Sequence, residues 1–334
     1  MDIKIPRNLD LKSSLRFCND ININGKEEEI VYDYKNMTGK LEPLGMLIVG
    51  SKIREIIREY KDIPQGDRNF EDKTYAANMG FFQSVNQNFG KSCYNARGTN
   101  NFIRINGENI QESYRKALDL GYGINITCYI ETVIAEDISQ VLSRGKSEIK
   151  EVIKFCIVEV VRNIYDHSKS KKLWYSGQFW PSKDLVEIAI IDEGYGIYNT
   201  LKNNKRIIVN TPEEALQLAL VPGISKNGAT IKNREVDGNS GFGLYMIKSI
   251  CDITGSFTII SSGKCLNIEN GEQEITDANF SGTAIRIRIS PSKLKDIEVR
   301  NLKNNLSREG TSKVKQLSKF DKISIEKISE LEVI

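Results

Sequence analysis

The chain has 334 residues, 40% of them hydrophobic and 27% charged, which is enough for two domains that each bury a core. Its net charge of +3 does not indicate nucleic acid binding. No run approaches the ~20 apolar residues that cross a membrane, the first residues lack a signal-peptide core, and the six cysteines stand singly without Cys-x-x-Cys spacing. These features predict a cytoplasmic protein with reduced cysteines and no membrane partner.

The pattern of β-rich and helical segments in residues 1–135 predicts an N-terminal α/β domain. A short β-rich run ends at Asp33, a turn contains Pro43 and Gly45, and apolar residues then recur at helical spacing from Met46 to Tyr60. Further along, the β-branched run 124–130 predicts a strand. We expect the second domain to begin near residue 140.

A predicted helix of the second domain carries two polar side chains at a fixed spacing. In Glu159-Val-Val-Arg-Asn163 the glutamate and the asparagine stand four apart, within an apolar-periodic run. Residues four apart share one face of a helix, so both groups can meet a common ligand. A solvated helix face is the alternative interpretation.

A strand and a glycine-containing turn follow. The β-rich run 186–191 leads into Asp192-Glu-Gly194-Tyr-Gly196, a pattern typical of a strand entering a tight turn where a ligand approaches the backbone. An ordinary turn is the alternative, because glycine is the default turn residue.

A second pair of glycines precedes a helix. Gly241-Phe-Gly243-Leu244 opens an apolar segment that reads as helical to Ile253. Amides at a helix N-terminus can meet phosphate oxygens, which the helix dipole also favours. Taken singly this pattern too is more typical of a turn.

Order and spacing add information that the single segments lack. With Ser281-Gly-Thr283-Ala at the head of a later strand, the segments resemble the nucleotide boxes of the GHKL superfamily of gyrases, heat-shock chaperones, histidine kinases and mismatch-repair ATPases. The resemblance covers residues 140–292 and is nearest to the histidine-kinase-like ATPase domains of anti-sigma-factor kinases. It implies an α/β protein whose C-terminal half is an α+β two-layer sandwich, the Bergerat fold, with helices on a mixed sheet.

The resemblance also implies ATP and Mg²⁺ as ligands and gives roles to single residues. Glu159 matches the catalytic carboxylate that activates water, and Asn163 matches the magnesium ligand. Asp192 matches the acceptor of the adenine amino group. The other matches are nucleotide contacts, namely Gly194, Gly196 and Thr283 beside the base and Gly241, Gly243 and Leu244 over the phosphates.

By the same resemblance, residues 197–240 form a mobile lid. The segment is rich in Asn, Gly and Lys, as a loop is, and Lys226, Lys232 and Arg234 either meet the triphosphate or are solvated. His167, the only histidine, is expected to pack or cap near the site, with direct catalysis as the alternative. Because no second histidine exists as acceptor, self-phosphorylation on histidine is not expected.

The two ends of the chain have weaker signals. The strand, turn and helix of residues 1–135 resemble STAS-like domains, which partner anti-sigma kinases, but Pro43 and Leu44 stand where phosphorylatable members carry a serine. An α/β domain of another family is the alternative. Residues 293–334 form a charged tail that is either a helix that docks on a partner or a disordered extension.

Three functional hypotheses follow. The first is a Mg-dependent ATPase switch that regulates a protein partner through the N-terminal domain or the tail. The second is a serine/threonine protein kinase of the anti-sigma type, in which Glu159 deprotonates a hydroxyl instead of water. The third is a non-catalytic adenine-nucleotide sensor, which would have no need of a base at that position. A homodimer is compatible with each.

Overall fold

The computed structural model describes residues 1–93, 101–123, 125–225, 241–295 and 297–332. Within these ranges the chain is a mixed α/β protein with one parallel and one antiparallel sheet. The predicted fold class is therefore confirmed. None of the helices described is long and apolar enough to cross a membrane.

The first sheet has three parallel strands in the order β1-β2-β3. The elements of this N-terminal unit are β1 (Asp2–Lys4), α1 (Leu11–Asp20), β2 (Ile30–Asp33), α2 (Pro43–Glu59), β3 (Gln65–Arg68), α3 (Thr74–Asn78) and α4 (Phe81–Ser84). The predicted strand ending at Asp33 and the helix after it are confirmed. Helix α2 starts three residues earlier than the apolar pattern indicated, because Pro43 occupies its first turn, where the missing N–H has no helical partner to lose.

Seven strands form the second sheet, in the order β4-β5-β6-β10-β7-β8-β9. They are β4 (Phe102–Asn109), β5 (Lys172–Trp180), β6 (Leu185–Asp192), β7 (Gly255–Ser261), β8 (Lys264–Glu269), β9 (Glu272–Asp277) and β10 (Thr283–Ile289). Every neighbouring pair is antiparallel, so the expectation of a mixed sheet was wrong. The register places Asp192 at the end of β6 opposite Thr283 at the start of β10.

The remaining helices follow the first unit in the chain. They are α5 (Ile110–Asp119), α6 (Ile126–Tyr129), α7 (Glu136–Ser143), α8 (Ser147–Asn163), α9 (Gly196–Lys202), α10 (Pro212–Ala219), α11 (Gly243–Thr254), α12 (Val299–Leu317) and α13 (Ile325–Glu332). A π-helical turn, Ile130–Ala135, joins α6 to α7. The strand predicted for 124–130 is thus helical from residue 126, because Ile126, Ile130 and Ile134 lie four apart and are all buried.

Both faces of the seven-stranded sheet are covered. Successive residues of a strand point to opposite faces, and in β6 Ile188 and Ile190 join one core with α8 and α11, whereas Ala189 and Ile191 join another with α2. One layer is therefore helical and the other is the N-terminal unit. The second sheet begins with β4 at Phe102, and β4, α5, α6 and the π-helical turn, which all fall within residues 1–135, contribute to the core on the helical side of that sheet.

The C-terminal segment docks on its own chain. Its helix α12 runs beside the start of α11, and Gly310 lies so close to Phe242 that an added Cβ would be 2.5 Å from that ring. After α12, Ile323 exchanges backbone hydrogen bonds with Arg206 and Ile208. Leu317 and Ile323 complete a small core with α9 and α10. The tail is therefore helical and packed on its own chain rather than a disordered extension, and docking on a partner stays a prediction.

Candidate functional site

A cavity lies between α8, the end of β6, α9, the start of α11 and the start of β10. Residues from all four sequence segments line it, although they are spread over about 125 positions. Those among the expected site residues are Glu159, Asn163, Asp192, Gly196, Gly241, Gly243, Leu244 and Thr283. Gly194 stands beside the cavity and donates its N–H to the Asp192 carboxylate at 2.8 Å. The expected residues are therefore gathered in one place.

Glu159 and Asn163 project from the same face of α8, as the spacing predicted. Arg162, which the sequence gave no reason to single out, donates from Nη2 to Glu159 Oε2 at 2.7 Å, and both side chains are only 15% exposed. Burial raises the pKa of Glu159 above its usual value, although Arg162 and Lys303 of helix α12 oppose the rise. A carboxylate whose pKa is raised is a stronger base, which suits it to accept a proton.

Asp192 ends strand β6 with its side chain almost fully buried. Burial raises its pKa to about 7, although the N–H of Gly194 and hydrogen bonds from Thr283 stabilise the charged form. No cation among the described residues pairs with this carboxylate. An unpaired buried carboxylate is costly, and a further N–H donor from a ligand would offset that cost. The apolar walls beside it are formed by Ile190, Ile197 and Ile285.

The glycines after Asp192 are required by packing. A Cβ on Gly194 would lie 2.1 Å from the carbonyl oxygen of Ser168, and Gly196 has a φ of +73°, where L residues are strained. Both glycines thus let the turn fold back against the rest of the protein. From the sequence, we had expected these glycines to allow a ligand to approach the backbone closely.

Ser261 is a further organising residue that sequence reasoning missed. Its hydroxyl accepts the N–H of Ile197 at 2.9 Å and donates to the carbonyl of Gly282 at 2.8 Å. These bonds tie the start of α9 to the turn before β10. A serine at the end of a strand carries no local signal of such a role.

The third segment places a helix N-terminus at the cavity. Gly241 has a φ of +68° and accepts the N–H of Gly223 at 3.0 Å, so the two ends of the 223–241 segment meet. Gly243 begins α11, and a Cβ there would lie 2.3 Å from Glu159 Oε2. The carboxylate therefore packs against the backbone at the start of α11, where the helix dipole favours anions.

The segment expected as a mobile lid is partly helical. Helices α9 and α10 occupy its first part, and Leu201, Ala215 and Leu218 pack into the small core with the tail. Within α9 and α10 the expectation of a loop was wrong, because their apolar residues are buried, whereas residues 203–211 and 220–225 contain no helix. The three basic residues expected there, Lys226, Lys232 and Arg234, lie outside the described residues. His167 lines the cavity.

The donor set fits a magnesium nucleotide. Asp192 offers a buried acceptor between apolar walls, and Asn163 offers an amide oxygen of the kind that Mg²⁺ prefers. The start of α11 lines the same cavity, where a helix N-terminus favours phosphate oxygens. Among the described residues no group of three or more His, Cys, Asp or Glu side chains is arranged to hold a metal by itself.

Comparison with known proteins adds little. No protein-family profile and no curated protein matches the chain. One solved structure, "Crystal Structure of N terminal domain of a DNA repair protein", is similar over 38% of this chain and 35% of that chain, at 15% sequence identity and a TM-score of 0.16. The chain thus spans about a third of that protein, and so low a TM-score carries no argument about fold or function.

Proposed function

We propose that this protein is a Mg-dependent ATPase of the GHKL kind whose nucleotide state regulates a protein partner. The observation that supports this most strongly is the single cavity shared by the four motif segments. Convergence of a buried carboxyl, a carboxylate and amide pair and a helix N-terminus from distant parts of the chain supports one shared ligand. The order of the segments in the chain matches the order of the family boxes.

Base recognition is assigned to the Asp192 end of the cavity. The ionised carboxylate accepts the adenine amino N–H, and Thr283, opposite it in the sheet, adds a polar contact. Isoleucine side chains on both sides exclude water from this contact, which strengthens it. In the same orientation guanine would place a carbonyl oxygen, which is an acceptor, against this carboxylate where adenine places its amino group, so the site is expected to favour adenine.

Hydrolysis is assigned to Glu159. Its carboxylate takes the proton of a water molecule that attacks the terminal phosphorus, while the bridging oxygen leaves with ADP. The Arg162 guanidinium fixes the carboxylate orientation at 2.7 Å. Mg²⁺, when bound, neutralises phosphate charge, and the Asn163 amide oxygen would be its protein ligand.

The first turn of helix α2 favours an ATPase over a kinase that modifies this part of its own chain, and it does not bear on a kinase that acts on another protein. Pro43, Leu44 and Gly45 are buried, and the Leu44 N–H donates to Glu187 of β6 at 3.0 Å. This turn is packed against the second sheet, on the face away from the cavity. A hydroxyl placed there would have no path to the terminal phosphate.

The test is incubation of the full chain with γ-labelled ATP and Mg²⁺, following bound nucleotide, free phosphate and labelled protein together. Glu159→Ala is the matched variant, since it removes the base and leaves the adenine end intact. We expect release of free phosphate that the variant loses while it still binds ATP. Binding without phosphate release, or labelled protein in place of free phosphate, would contradict the ATPase proposal.

A further inference from the structure

The turn after β6 is contacted from two sides. Side chains alternate between the faces of a strand, so Asp192 faces the cavity while the next residue, Glu193, points to the opposite face. On that face lies helix α2 of the N-terminal unit. One dipeptide therefore joins the candidate adenine site to the other layer of the protein.

Glu193 is held by three side chains of α2. Ser51 Oγ donates to its Oε1 at 2.9 Å, Arg54 Nε donates to the same oxygen at 2.9 Å, and Arg58 Nη1 donates to Oε2 at 2.8 Å. The spacing of three and four residues places all three donors on one helix face. Burial raises the pKa of Glu193, but the two guanidinium groups outweigh it and hold the pKa below its usual value.

Arg54 is itself fixed in place. Its side chain is 8% exposed, its Nη1 donates to the Ser84 carbonyl at 3.1 Å, and its guanidinium carbon lies 4.0 Å from the centre of the Trp174 ring. Because Arg54 is buried and held by Ser84 and Trp174, it cannot move together with Glu193 if the turn moves. The position of the turn is thus set by the N-terminal unit as well as by the sheet.

We propose that Glu193, through its hydrogen bonds with α2, positions the adenine-binding turn. Nucleotide binding and docking of the N-terminal unit are then energetically coupled. The inference rests on the proposed nucleotide site. It supplies the route by which that site acts on the N-terminal unit. Coupling of this kind is reciprocal, so whatever loosens α2 from the turn weakens nucleotide binding, and bound nucleotide strengthens α2 docking.

The test uses the full chain and three variants. Glu193→Gln keeps the shape of the side chain and removes its charge, and Arg58→Met removes one donor whose side chain is 58% exposed, which puts folding at little risk. Glu42→Gln is the matched control, because Glu42 pairs across the same two layers with Arg288 at 2.7 Å but does not contact the turn. Affinities for ADP and for adenosine are measured by calorimetry, and amide exchange of α2 is followed with and without ADP.

We expect Glu193→Gln to weaken the binding of ADP and of adenosine by the same factor, about tenfold, which is typical of a coupling free energy. Arg58→Met should lose less affinity. ADP should slow amide exchange across α2 in the wild type and in Glu42→Gln, but not in Glu193→Gln. Wild-type affinity in both turn variants, or an equal loss in Glu42→Gln, would overturn the coupling. A wild-type chain that binds neither ADP nor adenosine would instead overturn the proposed function, and the coupling with it.

Discussion

Lowering the pH from 8 to 6 should weaken adenosine binding through the protonation of Asp192. Burial places the pKa of this carboxyl at about 7 in the free protein, so it titrates in the middle of that interval. The ionised form accepts the adenine amino N–H with a full negative charge. The protonated form has lost that charge, and one of its two oxygens has become a donor.

The magnitude follows from the ionised fraction. With a pKa near 7, about 90% of the protein carries the carboxylate at pH 8 and about 10% at pH 6, because each pH unit changes the ratio tenfold. If the charged form alone binds, the apparent dissociation constant rises about ninefold, or roughly 1.3 kcal/mol. The sign is fixed by linkage: a ligand that needs the deprotonated form binds more weakly as the pH falls.

Calorimetric titration with adenosine is the appropriate assay, because adenosine lacks the phosphate groups whose own titration would add to the effect. Asp192→Asn serves as the control, since its amide does not titrate and its affinity should be low and equal at both pH values. Equal wild-type affinities at pH 6 and pH 8, or an asparagine variant that binds as tightly as the wild type, would refute the assignment of Asp192.

Three substitutions test other parts of the structure. Gly243→Ala should lower the kcat of ATP hydrolysis by about a hundredfold, the cost typical of a misplaced group, because its Cβ would lie 2.3 Å from the Glu159 carboxylate. Arg288→Met should cost about 3 kcal/mol in the free energy of unfolding, since fully buried Glu187 would lose its cation partner at 2.7 Å. Gly310→Ala should destabilise by about 1 kcal/mol in urea unfolding, because crowding of an aromatic ring outweighs the gain in helix propensity.

Each of these has a matched control. Gly66→Ala adds a methyl whose nearest neighbour is 3.8 Å away, so kcat should not change. Lys327→Met breaks an exposed pair with Glu330 and should cost less than about 0.5 kcal/mol. Asn304→Ala, the control for Gly310→Ala, places alanine at an exposed position of α12 and should stabilise the protein slightly through its higher helix propensity. If a control and its partner variant behave alike, the corresponding contact is not the cause.

The candidate site was largely predictable because its signals are local. A helix places Glu159 and Asn163 on one face whatever surrounds it, and a strand that runs into Asp192 and two glycines ends in a turn wherever it packs. The residues that reasoning from sequence missed act over distance. Arg54 meets Glu193 across 139 positions, and nothing near either residue indicates the other.

The errors in the fold also have physical causes. Residues 126–130 carry β-branched side chains that suit a strand, but their burial at a spacing of four stabilises a helix instead. Strand direction in the large sheet depends on long connections that local patterns do not encode, since 62 residues separate β4 from β5 and 62 separate β6 from β7. Docking of the tail rests on Leu317 and Ile323, whose partners lie about 100 residues earlier in the chain.

Through helix α2, the N-terminal unit and the second sheet each complete the hydrophobic core of the other. Every residue from Pro43 to Arg54 is buried, and the helix shares one core with the parallel strands and with β5, β6 and β10. Cutting the chain between residues 93 and 101 would leave a matching apolar face uncovered on each fragment. The two pieces should therefore be poorly soluble when made alone and should reassemble when made together, as split proteins do.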